Sequence, residues 1–250
     1  MKDAVIEAIS TGIIDRNNIS FDTIREGYKK DYNRHKELHY GHATLNEPPL
    51  LDQYLYSLGK MTKQQWAHFL KNIRIPEGRL RLVDYGCGQG LACAILFDHY
   101  RNMITERIDE VVLIEPSVVA LERAKAIVEC YNIDASIKIQ CKKLDDLPRA
   151  YLEPSGNAVF LHIFSNLLDI DEFNIPSVFG NILRTQGAHY FFAVSSDRDE
   201  YGGSLRFFEA ESFIFRLSAR GECAVSRSMT DEFVLPNGMK AISWQLVVEV

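Results

Sequence analysis

The sequence has few features that would tie it to metal, membrane or polyanion. Its five cysteines, Cys87, Cys93, Cys130, Cys141 and Cys223, never form a C-x-x-C pair, so neither a zinc site nor a thioredoxin-like motif is indicated. Reduced thiols in a cytosol are the expectation. No apolar run approaches the roughly 20 residues needed to span a bilayer, and Met1 to Ser10 is too acidic and too weakly apolar for a signal peptide. A soluble, cytoplasmic protein without a membrane partner is expected. Positive charge is also short, with 28 Lys and Arg against 34 Asp and Glu and a formal net charge of -6. That balance excludes a protein holding nucleic acid mainly through a broad basic surface, because phosphate neutralisation needs clustered cations. Internal repeats and low-complexity linkers are absent.

What is present suits one large α/β domain: 250 residues, 46% of them hydrophobic, can fill a sizeable core. From Met1 to about Gly78 the spacing is helical, with amphipathic stretches at Asp3 to Ile9, Phe21 to His39, Leu50 to Leu58 and Thr62 to Ile73. Pro48 and Pro49 are expected to break this region in the middle. It carries 11 Lys and Arg against 10 Asp and Glu, and the stretch Arg25 to Lys36 leans basic.

After Pro76, Glu77 and Gly78 short apolar runs alternate with helical stretches, the pattern of a parallel sheet with crossover helices. Strands are predicted at Leu80 to Tyr85, Val111 to Glu115, Ser136 to Cys141, Ala158 to Phe164 and Tyr190 to Ser195. Helices are predicted near 90 to 101, 117 to 131, 171 to 184 and 204 to 218. At the end, Glu222 to Leu235 and Lys240 to Val250 flank Pro236-Asn237-Gly238-Met239, and Asn-Gly between β-rich segments signals a hairpin. An antiparallel pair should therefore close the sheet. The organisation expected is residues 1–78 as a helical cap and residues 79–250 as the core domain.

The chemistry is concentrated in Arg81-Leu-Val-Asp-Tyr-Gly-Cys-Gly-Gln-Gly90, where a buried strand runs into three glycines spaced G-x-G-x-G and then a helix. Glycine is needed where backbone turns sharply and where a ligand presses on it without room for a Cβ. A second apolar strand, Val111-Val-Leu-Ile-Glu115-Pro116-Ser117, ends in a carboxylate, and a Rossmann-type site places such an acid there to accept hydrogen bonds from ribose hydroxyls. The bland alternatives are a glycine-rich turn and a surface glutamate capping the helix from Ser117.

This arrangement resembles the class I, Rossmann-like S-adenosylmethionine (SAM) dependent methyltransferases, whose first motif reads strand, acid, x, Gly, x, Gly, x, Gly. The resemblance covers residues 80–250. It implies a doubly wound α/β sheet of about seven strands, mostly parallel with a C-terminal antiparallel hairpin, preceded by helices. It further implies SAM as cofactor and methyl transfer as activity, with Val83 to Gly90 as the cofactor loop. By the same resemblance Asp84 starts or orders that loop, Gly86, Cys87, Gly88 and Gly90 line the cofactor, and Glu115, followed by Pro116, holds the ribose diol. A dinucleotide enzyme instead favours G-x-G-x-x-G.

The family's third loop often reads Gly-Asp-Ala-x-x-Leu-Pro. Here it is Lys142-Lys143-Leu144-Asp145-Asp146-Leu147-Pro148, which puts Lys143 where the acid is usual, Leu144 at the backbone contact and Asp145 as a shifted candidate. After the fourth strand, Phe164, Ser165 and Asn166 match the segment that lines cofactor and substrate. The Asn/Asp-Pro-Pro-Tyr/Phe motif of amino-directed nucleic-acid enzymes is missing, as is a Pro-Cys pair for attack on a pyrimidine.

No catalytic residue stands out. His162 could serve as a base only if its ring reaches the pocket, and a core histidine is the simpler reading. His35, His39 and His42 are spaced H-x-x-x-H-x-x-H, so the first two could share a helical face as metal ligands do. No H-E-x-x-H accompanies them, and no metal site is assigned. With Tyr28, Tyr32 and Tyr40 they suggest a flap instead, making Tyr28, Tyr32 and His42 substrate-side candidates. Ser195-Ser-Asp197-Arg-Asp199 follows the fifth strand, where ligands collect in open α/β sheets. The leading expectation is methyl transfer to an oxygen or nitrogen of a small molecule. The alternatives are an RNA or protein substrate docked on Arg25, Lys29, Lys30 and Arg34, and a non-catalytic SAM-binding or interaction module.

Overall fold

The structure is a computed structural model that describes residues 2–28, 31–41, 43–131, 134–148, 151–152, 159–198 and 203–250, with backbone alone for Tyr32, Tyr40 and Asn102. Five helices come first: α1 (Ala4–Ser10), α2 (Phe21–Arg25), α3 (Tyr32–Glu37), α4 (Pro48–Ser57) and α5 (Gly59–Leu70). One sequence expectation fails in this region. The stretch Phe21 to His39 is not one helix, because Glu26 turns to extended backbone (φ -63°, ψ 138°) and Gly27 takes φ 86°, which ends α2 after little more than one turn. The basic stretch Arg25 to Lys36 is divided with it. The helical region is interrupted just before Pro48 and Pro49, as expected, and the prolines open α4, where the missing N–H costs nothing and the fixed φ suits the first turn.

The remainder alternates strand and helix: β1 (Leu80–Tyr85), α6 (Leu91–Ile104), β2 (Ile108–Ile114), α7 (Val118–Cys130), β3 (Ser136–Gln140), β4 (Val159–Ser165), α8 (Ile175–Ile182), β5 (Ala188–Ser196), α9 (Gly203–Ala219), β6 (Ala224–Val234) and β7 (Lys240–Glu249). These strands form one sheet in the order β3-β2-β1-β4-β5-β7-β6. β1 to β5 are parallel, and β7 inserts antiparallel between β5 and the outermost β6. This is the mostly parallel seven-stranded arrangement with a C-terminal hairpin that the resemblance implies. Gly238 at φ 83° turns the hairpin, with Leu235 N–H bonded to Met239 C=O at 2.8 Å.

Strand order reverses across β1, so the crevice of the fold opens beside the carboxyl ends of β1 and its neighbours. Tyr85 pairs with Ile114 on one side and Phe164 on the other. Gly86 and Glu115 therefore leave the sheet together, beside Ser165 at the last position of β4.

Both faces of the sheet are covered, which is why β1, β2 and β4 read as near-continuous apolar runs. On one face Leu80 and Leu82 join Phe21, Leu55, Trp66 and Phe69 of the N-terminal helices and the inner side of α6 in one cluster. On the other Val83, Tyr85, Phe160 and Phe164 pack on α8 and α9. No helix among the described residues is long and apolar enough to cross a membrane.

His162 lies on this second face, fully buried, in a chain of hydrogen bonds across β1, β4 and β5. His189 Nε2 lies 2.8 Å from Thr185 C=O, and a carbonyl only accepts, so His189 Nδ1 must accept from His162 Nε2 at 2.9 Å. His162 Nδ1 then accepts from Tyr85 Oη at 3.0 Å, and Tyr85 Oη from Tyr151 Oη at 2.8 Å. Each ring is fixed as a neutral tautomer. Burial lowers the pKa of His162 well below 6.5 and that of His189 to about 4.

A pH dependence follows. The unfolded chain takes up these protons near pH 6.5 while the folded chain resists. The stabilisation is whole above pH 6.5 and is lost as the pH falls towards 4. Urea midpoints are expected to drop over that window, and to drop less when His162 and His189 are both replaced by Gln; an equal drop would remove the histidine pair as the cause.

Candidate functional site

The crevice holds a cleft with about 1150 Å³ between its walls, open mouth included. Its floor is the segment Gly86 to Gln89. One wall is Glu115, Pro116 and Ala120, a second is Lys143 and Leu144, and a third is Ser165, Asn166 and Leu167. The roof comes from residues before the sheet: Gly41, Ala43, Thr44 and Leu45, with Tyr54 of α4 and Thr62 of α5.

The floor loop needs its glycines for different reasons. Gly86, Gly88 and Gly90 all take positive φ, at 58°, 50° and 80°. A Cβ on Gly86 would stand 2.8 Å from Leu167 Cδ1, and one on Gly90 3.1 Å from the Cα and Cβ of Ala124 in α7. A Cβ on Gly88 would meet nothing within 4 Å. Gly90 thus serves the packing of α6 on α7 and does not line the cleft, whereas Gly88 borders open space.

Glu115 ends β2 and is only 9% exposed. One carboxylate oxygen accepts Gly88 N–H at 3.2 Å and the other accepts Ser117 N–H at 3.1 Å, so the acid is tied to the floor loop. Burial raises its pKa, and the two N–H donors oppose the rise. Ser117, not Glu115, caps α7, its Oγ accepting Ala120 N–H at 3.1 Å and donating to Leu45 C=O at 2.6 Å. The second bond fastens the roof beside the acid.

Asp84 lies beneath the floor and outside the cleft, fully buried. Its Oδ2 accepts from Cys93 Sγ at 3.1 Å, and its Oδ1 is sealed from solvent with no hydrogen-bond partner. Burial, with a contribution from the Glu115 charge, pushes its pKa up to about 7.

Asn166 holds a left-handed backbone at φ 50°. Its Nδ2 donates to Gln65 Oε1 at 2.9 Å, while Trp66 Nε1 donates to Ser165 Oγ at 2.9 Å. α5 thereby sets the tip of β4. Tyr54 borders the same space, its phenol pushed up to about 12 by burial and by the Asp169 and Glu115 charges, against the pull of Arg198.

Of the residues singled out from sequence, Gly86, Cys87, Gly88, Glu115, Pro116, Lys143, Leu144, Ser165 and Asn166 share the cleft. Others lie elsewhere. Phe164 is stacked between Tyr85 and Phe179 at 4.5 and 5.2 Å, and Asp145 accepts Asn174 N–H at 3.0 Å. Tyr28 faces the half-buried Asp52, and burial with that charge pushes its phenol up to about 12. His162 stays in the core. His35 and His39 share no helical face, because α3 ends at Glu37 and His39 turns to φ 43°. His42, Lys29, Lys30 and Asp199 fall outside the described residues, as does the Tyr32 side chain. Asp197 accepts Ser204 N–H at 3.0 Å, at the start of α9. Sequence reading missed the roof and Thr62, Gln65 and Trp66. Thr62 and Gln65, polar yet aligned with the apolar face of α5, are the signal that could have revealed them.

No protein-family model matches the chain, and no curated protein does. Among solved structures the chain is similar to a SAM-dependent methyltransferase from Leishmania major (16% identity, 91% of each chain covered, TM-score 0.48). It is similar to another from Aquifex aeolicus (14% identity, 88% of this chain and 99% of that one, TM-score 0.49). A third is an arsenic(III) SAM methyltransferase from Chlamydomonas reinhardtii (18% identity, 70% and 66%, TM-score 0.46). At these identities and scores, the reading of the site rests on its own residues.

Proposed function

We propose that the cleft binds SAM and that the chain transfers its methyl group to an oxygen or nitrogen of a small molecule in the cytosol. In this reading residues 79–250 hold the cofactor and residues 1–78 close over it. The observation that carries it is the pairing of Gly88 and Glu115: a glycine bordering unfilled space is hydrogen-bonded to a buried carboxylate on the same cleft. That donor set fits a nucleoside, with the carboxylate accepting from a ribose diol and the bare backbone allowing close approach.

When bound, SAM supplies a methyl group on a positively charged sulfur, a good electrophile. The chain has to orient and enclose. Glu115 fixes the ribose, Leu144 and Leu167 offer apolar walls for a base, and the roof segment tied through Leu45 limits water. Alignment alone supplies much of the rate in such a displacement, so the reading needs no general base. Tyr54, kept neutral, can donate a hydrogen bond into the cleft.

A macromolecular substrate is less well supported, because both described arginines of the basic patch are already engaged within the chain. Arg25 donates to Leu55 and Tyr56 carbonyls, and Arg34 pairs with Glu47 at 2.9 Å.

Calorimetric titration with SAM and with S-adenosylhomocysteine tests the proposal. Wild type is expected to bind both, and Glu115→Ala to bind about tenfold to a hundredfold more weakly, the scale of losing hydrogen bonds to a charged group. Failure of wild type to bind either compound would overturn the reading and leave an interaction module.

A further inference from the structure

Arg123 of α7 is fully buried, and its guanidinium meets three segments distant in sequence. Nε donates to Asp3 Oδ2 at 2.7 Å, and Asp3 is the N-cap of α1. Nη2 lies 2.8 Å from Asp52 Oδ1 of α4, an ion-pair contact off the hydrogen-bond axis, and 3.5 Å from Pro48 C=O. Nη1 donates to Gln89 Oε1 at 3.0 Å.

Gln89 is the residue between Gly88 and Gly90, and only 2% of it is exposed. Its Nε2 donates to Leu51 C=O of α4 at 2.9 Å. Both ends of its amide are thus occupied, one by Arg123 and one by α4. The two flanking glycines have wide backbone freedom, so this clamped side chain restrains the most pliable part of the cleft floor. Asp3 touches neither the floor nor the cleft, yet it shares the guanidinium that holds Gln89.

We infer that Arg123 is a positioning residue that couples docking of α1 and α4 to the conformation of the glycine loop, making the N-terminal helix a determinant of ligand affinity at a site it does not touch. Two sites that bias one shared arrangement are linked reciprocally, by factors of roughly 5 to 150. Loosening α1 loosens the loop, and a ligand on the loop tightens α1.

The consequence for affinity rests on the SAM reading; the mechanical coupling does not, and the test separates them. Amide hydrogen exchange is followed at residues 4–10 and 87–91 in wild type, Asp3→Ala, Arg123→Met and the double variant, with and without S-adenosylhomocysteine. Asp3→Ala is the informative variant, because Arg123→Met leaves the Asp3 and Asp52 carboxylates, 9% and 27% exposed, without their cation and can fail to fold. Asp3→Ala is expected to speed exchange in the loop at least several-fold and to weaken S-adenosylhomocysteine about tenfold. In wild type the ligand should slow exchange in α1, and in Asp3→Ala that slowing should vanish. If Arg123→Met folds, adding Asp3→Ala to it should change loop exchange no further. Unchanged loop exchange in Asp3→Ala would overturn the inference. A loop that responds to Asp3→Ala in a protein that binds no S-adenosylhomocysteine would support the coupling and refute the cofactor.

Discussion

Gly88→Val is expected to remove SAM binding, by a hundredfold or more, with only a small loss of stability. The two effects have separate origins. Placing a side chain at φ 50° costs roughly 1–2 kcal/mol for the left-handed backbone, but no protein atom lies within 4 Å of the new Cβ, so the fold absorbs the change. The valine methyls instead occupy space on the cleft floor, beside Glu115. Gly90→Val is the matched control. Its Cβ would press on the α7 backbone at 3.1 Å, and the melting temperature should fall well below that of Gly88→Val. Calorimetry and thermal melts on the two variants check this together. Equal melting losses would refute the packing contrast between the two glycines, and SAM binding retained in Gly88→Val would mean that the floor loop does not carry the ligand.

The contrast between these glycines also shows what the sequence could convey. G-x-G-x-G after a buried strand announces a tight, close-approach loop, and β1 was predicted at its observed bounds because both of its faces are covered. Glu115 was legible for the same reason: a charge ending an apolar run has to leave the sheet. The spacing could not say that Gly88 faces space while Gly90 faces Ala124, since that depends on where α7 returns. The roof was harder still. Leu45 reaches the site through Ser117, 72 residues away, and Gln65 through Asn166, 101 residues away; no local pattern encodes either meeting. Phe164 ends its apolar run beside the site, but strand alternation turns its ring towards α8 and away from the cleft. The helix predicted from Phe21 to His39 stops at Gly27, because glycine's cost inside a helix outweighs the amphipathic pattern.

Asp84→Asn is expected to stabilise the protein at pH 8 by up to roughly 4 kcal/mol and to do almost nothing near pH 4. In the folded chain the Asp84 carboxyl titrates at about 7 instead of 3.8, because the charged form is buried with one oxygen unpartnered. A raised acid pKa means the folded state holds its proton more tightly than the unfolded state. The penalty is absent below pH 3.8, grows as the pH rises, and is complete above about 7; a shift of this size is worth ~1.4 kcal/mol per unit. This trend runs opposite to that of the His162 and His189 pair, so urea midpoints of wild type and Asp84→Asn must be compared at pH 4, 6 and 8. A gain equal at every pH would refute the assignment. An acid that destabilises its own fold asks for a compensating use. A ligand that brings positive charge to the adjoining loop favours the charged carboxylate. Wild type should therefore prefer SAM over the uncharged sulfur of S-adenosylhomocysteine more strongly at pH 8 than at pH 6. Asp84→Asn should lose that dependence while keeping its extra stability, which would place the cost of the buried acid in cofactor recognition.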